Sequence, residues 1–168
     1  KNSFNRVGMD HVILVRLAST AVATAMFGGG KEEVINAVSH SWIDNGVLRT
    51  YRHAPNTGPR KSWAAGDACR RAVIHAINAV DKKIVGYPSA LSVKTWGFYD
   101  IAFGGKEFQF ERPFGSYVME NILFKISWPA EFHAQTAVEC AMQLHDQVKD
   151  RIDDIERIEI QTQEAGVR

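Results

Sequence analysis

One stretch, residues 49–67 (RTYRHAPNTGPRKSWAAGD), constrains the fold more than any other part of the chain. Two prolines and a glycine fall within the five residues from Pro55 to Pro59. Proline fixes φ and lacks a backbone N–H, so a continuous helix and a central strand are both excluded there. The stretch is therefore predicted to be a shaped loop between two helices, and loops of this kind often carry binding and catalytic side chains.

The same stretch carries charge of one sign. Basic side chains recur from Arg49 to Lys61, and the first acidic residue is Asp67. This pattern predicts a negatively charged partner, such as a polycarboxylate, a phosphate or a nucleic acid. The formal net charge of the chain is only +1, which argues against a nucleic-acid partner because such domains usually carry a basic excess. No apolar run is long enough to span a bilayer, and no secretory signal is visible, so no membrane partner is expected.

Hydrophobic periodicity predicts that residues 1–104 form an all-helical part. Helices are predicted over residues 11–27, 31–44, 63–79 and 91–103, and residues 1–9 are expected to be irregular. Asp10 is predicted to be the N-cap of the first of these helices. Residues 18–25 of that helix are mostly small, so another helix is expected to approach it closely.

The pattern changes after Gly104-Gly105, and residues 105–168 are predicted to form a small α/β part in the order β-β-α-β. Strands are predicted at residues 107–111, where EFQFE alternates with period two, and at residues 122–127 and 155–162. An amphipathic helix is predicted between them, over residues 130–150. The predicted fold class is therefore α+β, with an all-helical part followed by an α/β part.

The cysteines and the absence of metal-binding motifs argue against disulfides and metal-dependent chemistry. Cys69 and Cys140 lie far apart without metal-ligand spacing, so both are expected to be reduced, structural thiols of an intracellular protein. No H-E-x-x-H or His-x-His motif is present, so no metal is predicted. The chain begins at Lys1 without an initiator Met and ends after a strand-like segment, so both ends are expected to be cuts through a longer protein.

Three histidines are candidates for proton transfer, because the unperturbed pKa of histidine lies near neutrality. His11 lies at a helix start beside Asp10, where a capping or surface role is the alternative. His53 follows Arg52, whose charge favours a neutral imidazole that suits a base. The alternative for His53 is a loop residue bonded to backbone. His133, in the first turn of the long helix, is more typical of a structural residue.

Two lysines and two other polar residues are further candidates for a binding or catalytic pocket. Lys61 follows Arg60 just before a predicted helix, where a lysine and backbone N–H groups jointly bind a carboxylate, unless the lysine is simply exposed. Lys125 is the one charge in an otherwise apolar run, so it lies either at an edge or buried for a purpose. Tyr117 and Glu120 are candidates to supplement a polar pocket, or are ordinary surface residues.

Long segments of the sequence resemble the MmgE/PrpD family. They are SFNRVGMDHV (3–12), HAPNTGPRKSWAAGD (53–67), GYPSAL with WGFYD (86–100) and RPFGSYVMENILFKISWPAEFHAQTAVE (112–139). The resemblance covers essentially the whole chain. It implies an all-helical domain and a smaller α/β lid domain, with the active site in the cleft between them. It also implies a homodimer that needs no cofactor and works in the cytoplasm or the mitochondrial matrix.

The resemblance implies a hydro-lyase that removes water from the tricarboxylate 2-methylcitrate in propionate breakdown. The family also includes a decarboxylase that acts on cis-aconitate, and this activity stays an alternative, as does a non-catalytic folded fragment or binding module. The wordings GPRKSWAAGD and FKISWPAEFHAQ resemble the dehydrating branch more closely. Family members are longer and complete their pocket with an upstream segment, so the chain is expected to be a central fragment that is inactive alone.

Site residues follow from the resemblance together with the local patterns. The pocket histidine of the family falls at His11, and its two pocket lysines fall at Lys61 and Lys125. The expected catalytic residues are His11, His53, Lys61 and Lys125. The expected substrate-binding residues are Arg52, Arg60, Tyr117 and His133.

Overall fold

The computed structural model describes residues 2–44, 47–82, 84–116, 119–120 and 127–167. The chain divides into two compact units, residues 1–109 and residues 110–168. The domain boundary predicted near Gly104-Gly105 concerns the organisation of the whole protein and stays a prediction. Within the described ranges, no helix combines the length and the apolar character needed to cross a bilayer.

The first unit consists of helices and turns. Its elements are α1 (Asn2–Arg6), α2 (Val12–Met26), α3 (Lys31–Ile43), a 3-10 turn (Thr50–Arg52), α4 (Arg60–Val80) and α5 (Phe98–Phe103). The helices predicted over residues 11–27 and 31–44 are confirmed as α2 and α3. The 3-10 turn and the residues that follow it, up to Pro59, form the predicted loop, in which the Ala54-Pro55 peptide bond is cis.

Glycines separate α2 from α3. Gly28 adopts φ +86°, a left-handed conformation that favours glycine and ends α2. The Glu33 carboxylate then accepts a hydrogen bond of 2.8 Å from the Gly30 N–H, which satisfies a donor at the start of α3. The local sequence therefore sets both boundaries.

Two boundaries in this unit differ from the prediction. α4 begins at Arg60 rather than at residue 63, because Pro59, with φ −62°, is already set for a helical start. α5 begins at Phe98 rather than at residue 91, and residues 88–96 form turns and bends. Gly97, with extended backbone at ψ 157°, is the N-cap of α5.

Residues 1–9 are not irregular throughout, because they include α1. This helix is one short turn, and its Phe4 side chain is buried. The Phe4 ring contacts the rings of Phe98, Phe103 and Phe108 at centroid distances of 6.1, 5.4 and 5.6 Å. Aromatic packing from distant parts of the unit therefore stabilises a helix that its own sequence does not signal.

Small side chains allow α2, α3 and α4 to pack against one another. The buried residues of α4 are Ala64, Ala68, Ala72, Ala76 and Ala79. Buried Thr20 and Thr24 of α2 and buried Ala37 and Ser41 of α3 each lie four residues apart, on one face of their helix. Because helix separation depends on the side chains at the contact, these residues permit a close approach. The close approach predicted for residues 18–25 is confirmed.

Buried polar side chains connect α2 to α3. Arg16 Nη2 donates to the Ser41 carbonyl at 2.8 Å, and the Thr20 and Ser41 hydroxyl oxygens lie 2.7 Å apart. Buried polar groups are stable only when they are hydrogen-bonded. These contacts therefore fix the positions of the two helices relative to each other.

The second unit contains α6 (Gln135–Val148), a 3-10 turn (Ile152–Asp154) and α7 (Glu164–Val167). The helix predicted over residues 130–150 is confirmed in its central part, although it begins at Gln135. No side chain that the structure describes in this unit is buried, α6 included.

The predicted strands are wrong wherever the structure describes them. Residues 107–111 and 155–162 form no strand, and β-type pairing in the described ranges is confined to an isolated bridge between Met9 and Leu48. A strand needs a partner for its backbone groups, and these segments have none there. The alternation in residues 107–111 instead reflects Phe108, which packs into the aromatic cluster, beside Phe110, which is 69% exposed. Most of the strand predicted at 122–127 lies outside the described residues.

Candidate active site

Residues 49–59, here called the basic loop, meet the start of α2 at the carboxylate of Asp10, which is fully buried. Its Oδ1 accepts a hydrogen bond of 3.0 Å from the amide of Val12, the first residue of α2. The N-cap of α2 is His11, so the prediction that Asp10 occupies this position is wrong by one residue. Its Oδ2 accepts a hydrogen bond from Nε of Arg52, 42 residues further along the chain. The Arg52 side chain is only 14% exposed, so the two residues form a largely buried ion pair.

Both members of this pair stay charged. Burial raises the pKa of Asp10, but interactions with Arg52, Tyr51 and the Val12 amide outweigh it and hold the pKa below its ordinary value. Burial lowers the pKa of Arg52, but the hydrogen bond to Asp10 and its charge raise it above the ordinary value. A fixed negative charge therefore lies beneath the start of α2.

Tyr51 supplies an aromatic surface next to this pair. Its ring lies 5.0 Å from the guanidinium carbon of Arg52 and 5.5 Å from that of Arg60, within the range of cation–π contact. Burial and the neighbouring Asp10 charge raise the pKa of Tyr51, so its hydroxyl is neutral. The hydroxyl is close enough to Asp10 for the charge of the carboxylate to affect its pKa. It forms no hydrogen bond of regular geometry with any residue that the structure describes.

The His11 imidazole lies between an acceptor and a donor. Its Nδ1 is 3.2 Å from Asp10 Oδ1 and 3.4 Å from Arg49 Nη1. An ionised carboxylate only accepts and an arginine only donates. A protonated Nδ1 is therefore matched by Asp10, and an unprotonated Nδ1 by Arg49. Each neutral tautomer has a partner, so Nε2 can hold either a lone pair or a proton. The side chain is 32% exposed, which allows another molecule to reach it.

The other predicted residues of the first unit lie along the basic loop and the start of α4. His53 follows the 3-10 turn and is exposed, and Lys61, in the first turn of α4, is exposed as well. Arg60 is half-buried, with its guanidinium carbon 4.4 Å from the Trp63 ring centroid and Nη2 3.6 Å from Asp67. The structure thus brings His11 and Arg52 together at Asp10, and Arg52 and Arg60 together at Tyr51.

Three predicted residues lie elsewhere. His133 belongs to the second unit, where its backbone N–H donates to Glu131 at 2.6 Å and its Nδ1 lies 3.0 Å from Nε2 of Gln163. Lys125 and Tyr117 lie outside the described residues. Their roles stay predictions.

Three of the residues that surround His11 and Arg52 carried no functional prediction from the sequence. Asp10 was expected only to cap a helix, although its position directly before a candidate histidine was an available signal. Arg49 was one of several charges in the basic loop, and nothing local indicates that it faces His11. The contact of Tyr51 with two guanidinium groups follows from tertiary packing, for which the sequence offers no local signal.

The described ranges contain neither a metal-binding cluster of side chains nor a disulfide. No group of three or more histidine, cysteine, aspartate or glutamate side chains there is arranged to hold a metal ion. Cys69 and Cys140 are both free and exposed, so neither forms a disulfide.

Comparison with protein families accounts for most of the chain. Residues 1–111 match the MmgE/PrpD N-terminal domain, and residues 128–168 match the MmgE/PrpD C-terminal domain. The two matches cover the whole first unit and most of the second.

Individual relatives match over nearly the full chain. The chain is 60% identical over 171 residues to the 2-methylcitrate dehydratase of Salmonella typhimurium and 61% identical over 171 residues to the mitochondrial 2-methylcitrate dehydratase of Yarrowia lipolytica. It is 48% identical to the 2-methylcitrate dehydratase-like protein oryR of Aspergillus oryzae. These matches cover 100%, 100% and 99% of this chain, but only 35%, 33% and 34% of the respective relatives. The chain thus spans about a third of the length of these relatives, and it belongs to the MmgE/PrpD family.

Proposed function

We propose that this chain is part of a hydro-lyase that converts 2-methylcitrate to 2-methyl-cis-aconitate and water in the methylcitrate cycle of propionate catabolism. The substrate is proposed because the relatives from Salmonella typhimurium and Yarrowia lipolytica are named as 2-methylcitrate dehydratases. Because the chain spans 35% of the Salmonella protein, the activity is proposed for the whole protein rather than for these 168 residues alone.

The position of His11 between Asp10 and Arg49 is the structural observation that supports a proton-transfer reaction. Dehydration removes a proton from one carbon. The hydroxyl group on the neighbouring carbon receives a proton and leaves as water. With Nδ1–H towards Asp10, Nε2 holds a lone pair that accepts the proton from carbon. The carboxylate then stabilises the imidazolium that forms. His53 is the second candidate for proton transfer.

The reaction also requires cations. Removal of a proton next to a carboxylate produces an enolate-like transition state with additional negative charge, which positioned cations stabilise. Arg60, Lys61 and Lys125 are proposed to bind the substrate carboxylates and this developing charge. The remaining proposed substrate contacts are Arg52, Tyr117 and His133. Because Arg52 is paired with Asp10, we also propose that it positions the carboxylate beside His11.

The oligomeric state and the compartment of the whole protein are proposed on the same basis. The protein is proposed to act as a homodimer on a tricarboxylate substrate. Its proposed compartment is the cytoplasm or the mitochondrial matrix, and the Yarrowia relative is named as a mitochondrial protein.

A chimeric enzyme tests the proposal directly. The segment of the Salmonella enzyme that aligns with this chain is replaced by these 168 residues, and alkene formation from 2-methylcitrate is followed by ultraviolet absorbance. Turnover close to that of the parent enzyme is expected. A folded chimera without turnover, beside an active parent enzyme, contradicts the proposed function. The isolated chain is assayed in parallel, and no alkene formation is expected from it.

Substitutions in the chimera then test the proton-transfer assignment. The histidine that moves the proton is expected to lower kcat by about 10²–10⁴-fold when replaced by alanine. His11→Ala is expected to show this loss, and His53→Ala tests the alternative. His145→Ala is the matched control, because this side chain is 61% exposed on α6. Unchanged rates for both His11→Ala and His53→Ala eliminate the assignment.

A further inference from the structure

A pocket of about 240 Å³ lies between α2 and α4, apart from the contacts of His11. Its charged lining consists of Arg16 from α2 and of Arg60, Asp67 and Arg71 from α4. Tyr51, which also contacts Arg52 in the candidate active site, and apolar side chains such as Val12 complete the described lining. The pocket is smaller than the roughly 300–1,000 Å³ typical of drug-sized ligands, so it suits a small group.

Arg16 is the buried cation of this pocket, with a side chain only 3% exposed. Its Nη2 donates to the Ser41 carbonyl at 2.8 Å, and its Nη1 lies 3.8 Å from the carboxylate of Asp44. Its Nε is buried and has no hydrogen-bond partner in the part of the chain that the structure describes. Buried donors without a partner are rare in native proteins. The guanidinium of Arg16 is therefore only partly satisfied by its contacts with Ser41 and Asp44.

The single acidic side chain among the described lining residues is already occupied. Asp67 Oδ2 accepts from Arg71 Nε at 3.0 Å and lies 3.6 Å from Arg60 Nη2. Its Oδ1 accepts from Arg70, at 2.9 Å, which does not line the pocket. Hydrogen bonds from Arg70 and Arg71 hold the pKa of Asp67 below its ordinary value, so it remains an anion. Asp44, which does not line the pocket, lies 3.8 Å from Arg16 and 3.9 Å from Arg71. The three lining arginines therefore face two carboxylates, and one positive charge stays in excess.

We propose that this pocket binds a small oxyanion through a carboxylate or phosphate group, held by Arg16, Arg60 and Arg71. Guanidinium groups suit this ligand because their planar array of donors matches the oxygens of a carboxylate or a phosphate. The pocket shares only Arg60 with the proposed substrate contacts. The proposal therefore stands whether or not the chain belongs to a dehydratase.

Isothermal titration calorimetry on the 168-residue chain tests the binding. Inorganic phosphate and citrate are titrated separately, and sodium chloride holds the ionic strength constant because salt screens such interactions. Saturable binding at one site per chain is expected for at least one of the two. Binding of phosphate alone identifies a phosphate group as the ligand chemistry, and binding of citrate alone identifies a carboxylate. The absence of saturable binding for both overturns the proposal.

Variants locate the bound anion. Arg60→Gln and Arg71→Gln each remove a charge-assisted hydrogen bond and are expected to raise the Kd by about tenfold or more. Arg70→Gln is the matched control: it removes an arginine from the same helix that contacts Asp67 but does not line the pocket. Its Kd is expected to stay within about twofold of the wild-type value. Circular dichroism confirms the fold of each variant before titration.

Two outcomes of this series overturn the proposal. The first is an equal loss of affinity in Arg70→Gln and Arg71→Gln, which indicates general electrostatic attraction. The second is a loss in Lys61→Ala while Arg71→Gln binds normally, which places the anion at the proposed substrate contacts. Because Lys61 does not line the pocket, this last variant separates the oxyanion site from the proposed catalytic site.

Discussion

Replacement of Asp10 by asparagine removes the charge at the centre of the candidate site while keeping the shape of the side chain. Asp10 is fully buried and paired with Arg52. Asparagine retains an oxygen that accepts the hydrogen bond from the Val12 amide. The guanidinium of Arg52, however, loses its anion in a setting where only 14% of its side chain meets water.

The expected loss of stability follows from this geometry. Breaking a buried ion pair by removing one partner costs about 3–5 kcal/mol, and a hydrogen bond to a charged group contributes about 1.5–3 kcal/mol. Because Arg52 keeps some access to water, Asp10→Asn is expected to lower the free energy of unfolding by about 2–3 kcal/mol at neutral pH. Asp10→Ala also removes the acceptor of the Val12 amide at the start of α2 and is expected to cost about 1 kcal/mol more. Urea unfolding followed by circular dichroism measures both losses.

The pH dependence shows whether the charge is the cause. The folded-state pKa of Asp10 lies below its ordinary value, so its contribution is complete above the unfolded-state pKa of about 3.9. That contribution is lost as the pH falls through the folded-state pKa. The stability difference between wild type and Asp10→Asn is therefore expected to shrink below about pH 4.

Asp146→Asn is the control for Asp10→Asn. Asp146→Asn removes an exposed carboxylate, 84% accessible, that pairs with Lys149 at 2.9 Å. Exposed pairs contribute little, so no measurable loss of stability is expected for it. If Asp10→Asn is as stable as wild type at neutral pH, or if its deficit persists unchanged in acid, the reasoning about the buried pair is refuted.

Three further predictions concern packing and pH. Thr20→Val and Ser41→Ala are each expected to cost about 1–2 kcal/mol in urea unfolding, and less than additively together, because the two hydroxyl oxygens lie 2.7 Å apart. Strict additivity contradicts the contact. Gly97→Ala is expected to lower the Tm, because a Cβ there meets a backbone carbonyl oxygen at 2.4 Å. Gly66→Ala in α4 meets nothing within 4 Å and is expected to stabilise by about 0.5–1 kcal/mol, so a loss there refutes the packing argument. Burial lowers the pKa of His75, so stability is expected to fall as the pH falls below about 6.5, and His75→Gln is expected to flatten that slope in acid unfolding.

Local signals predicted α2, α3 and α4 of the first unit, because those signals act over a few residues. Gly28 ends α2 by its own backbone preference, and the prolines at 55 and 59 exclude a helix across the basic loop. The predicted strands failed for the opposite reason. Alternation shows that one face of a segment is apolar, but it does not show whether another strand is present to pair with it. Phe108 satisfies the pattern by packing into an aromatic cluster instead.

The candidate site was predictable only in part, because its contacts join residues that are distant in sequence. His11 was identifiable from its neighbours, but Arg49 and Arg52 reach it and Asp10 across separations of 38 and 42 residues. These contacts also change how the charge of the basic loop is interpreted. Its run of positive residues suggests a surface open to an external anion, yet Arg52 is committed to a buried carboxylate. In the pocket between α2 and α4, Arg16, Arg60 and Arg71 share two carboxylates, those of Asp44 and Asp67, which leaves one positive charge in excess. The charge available to a ligand therefore depends on which cations the fold has already paired, and a count from the sequence does not reveal this.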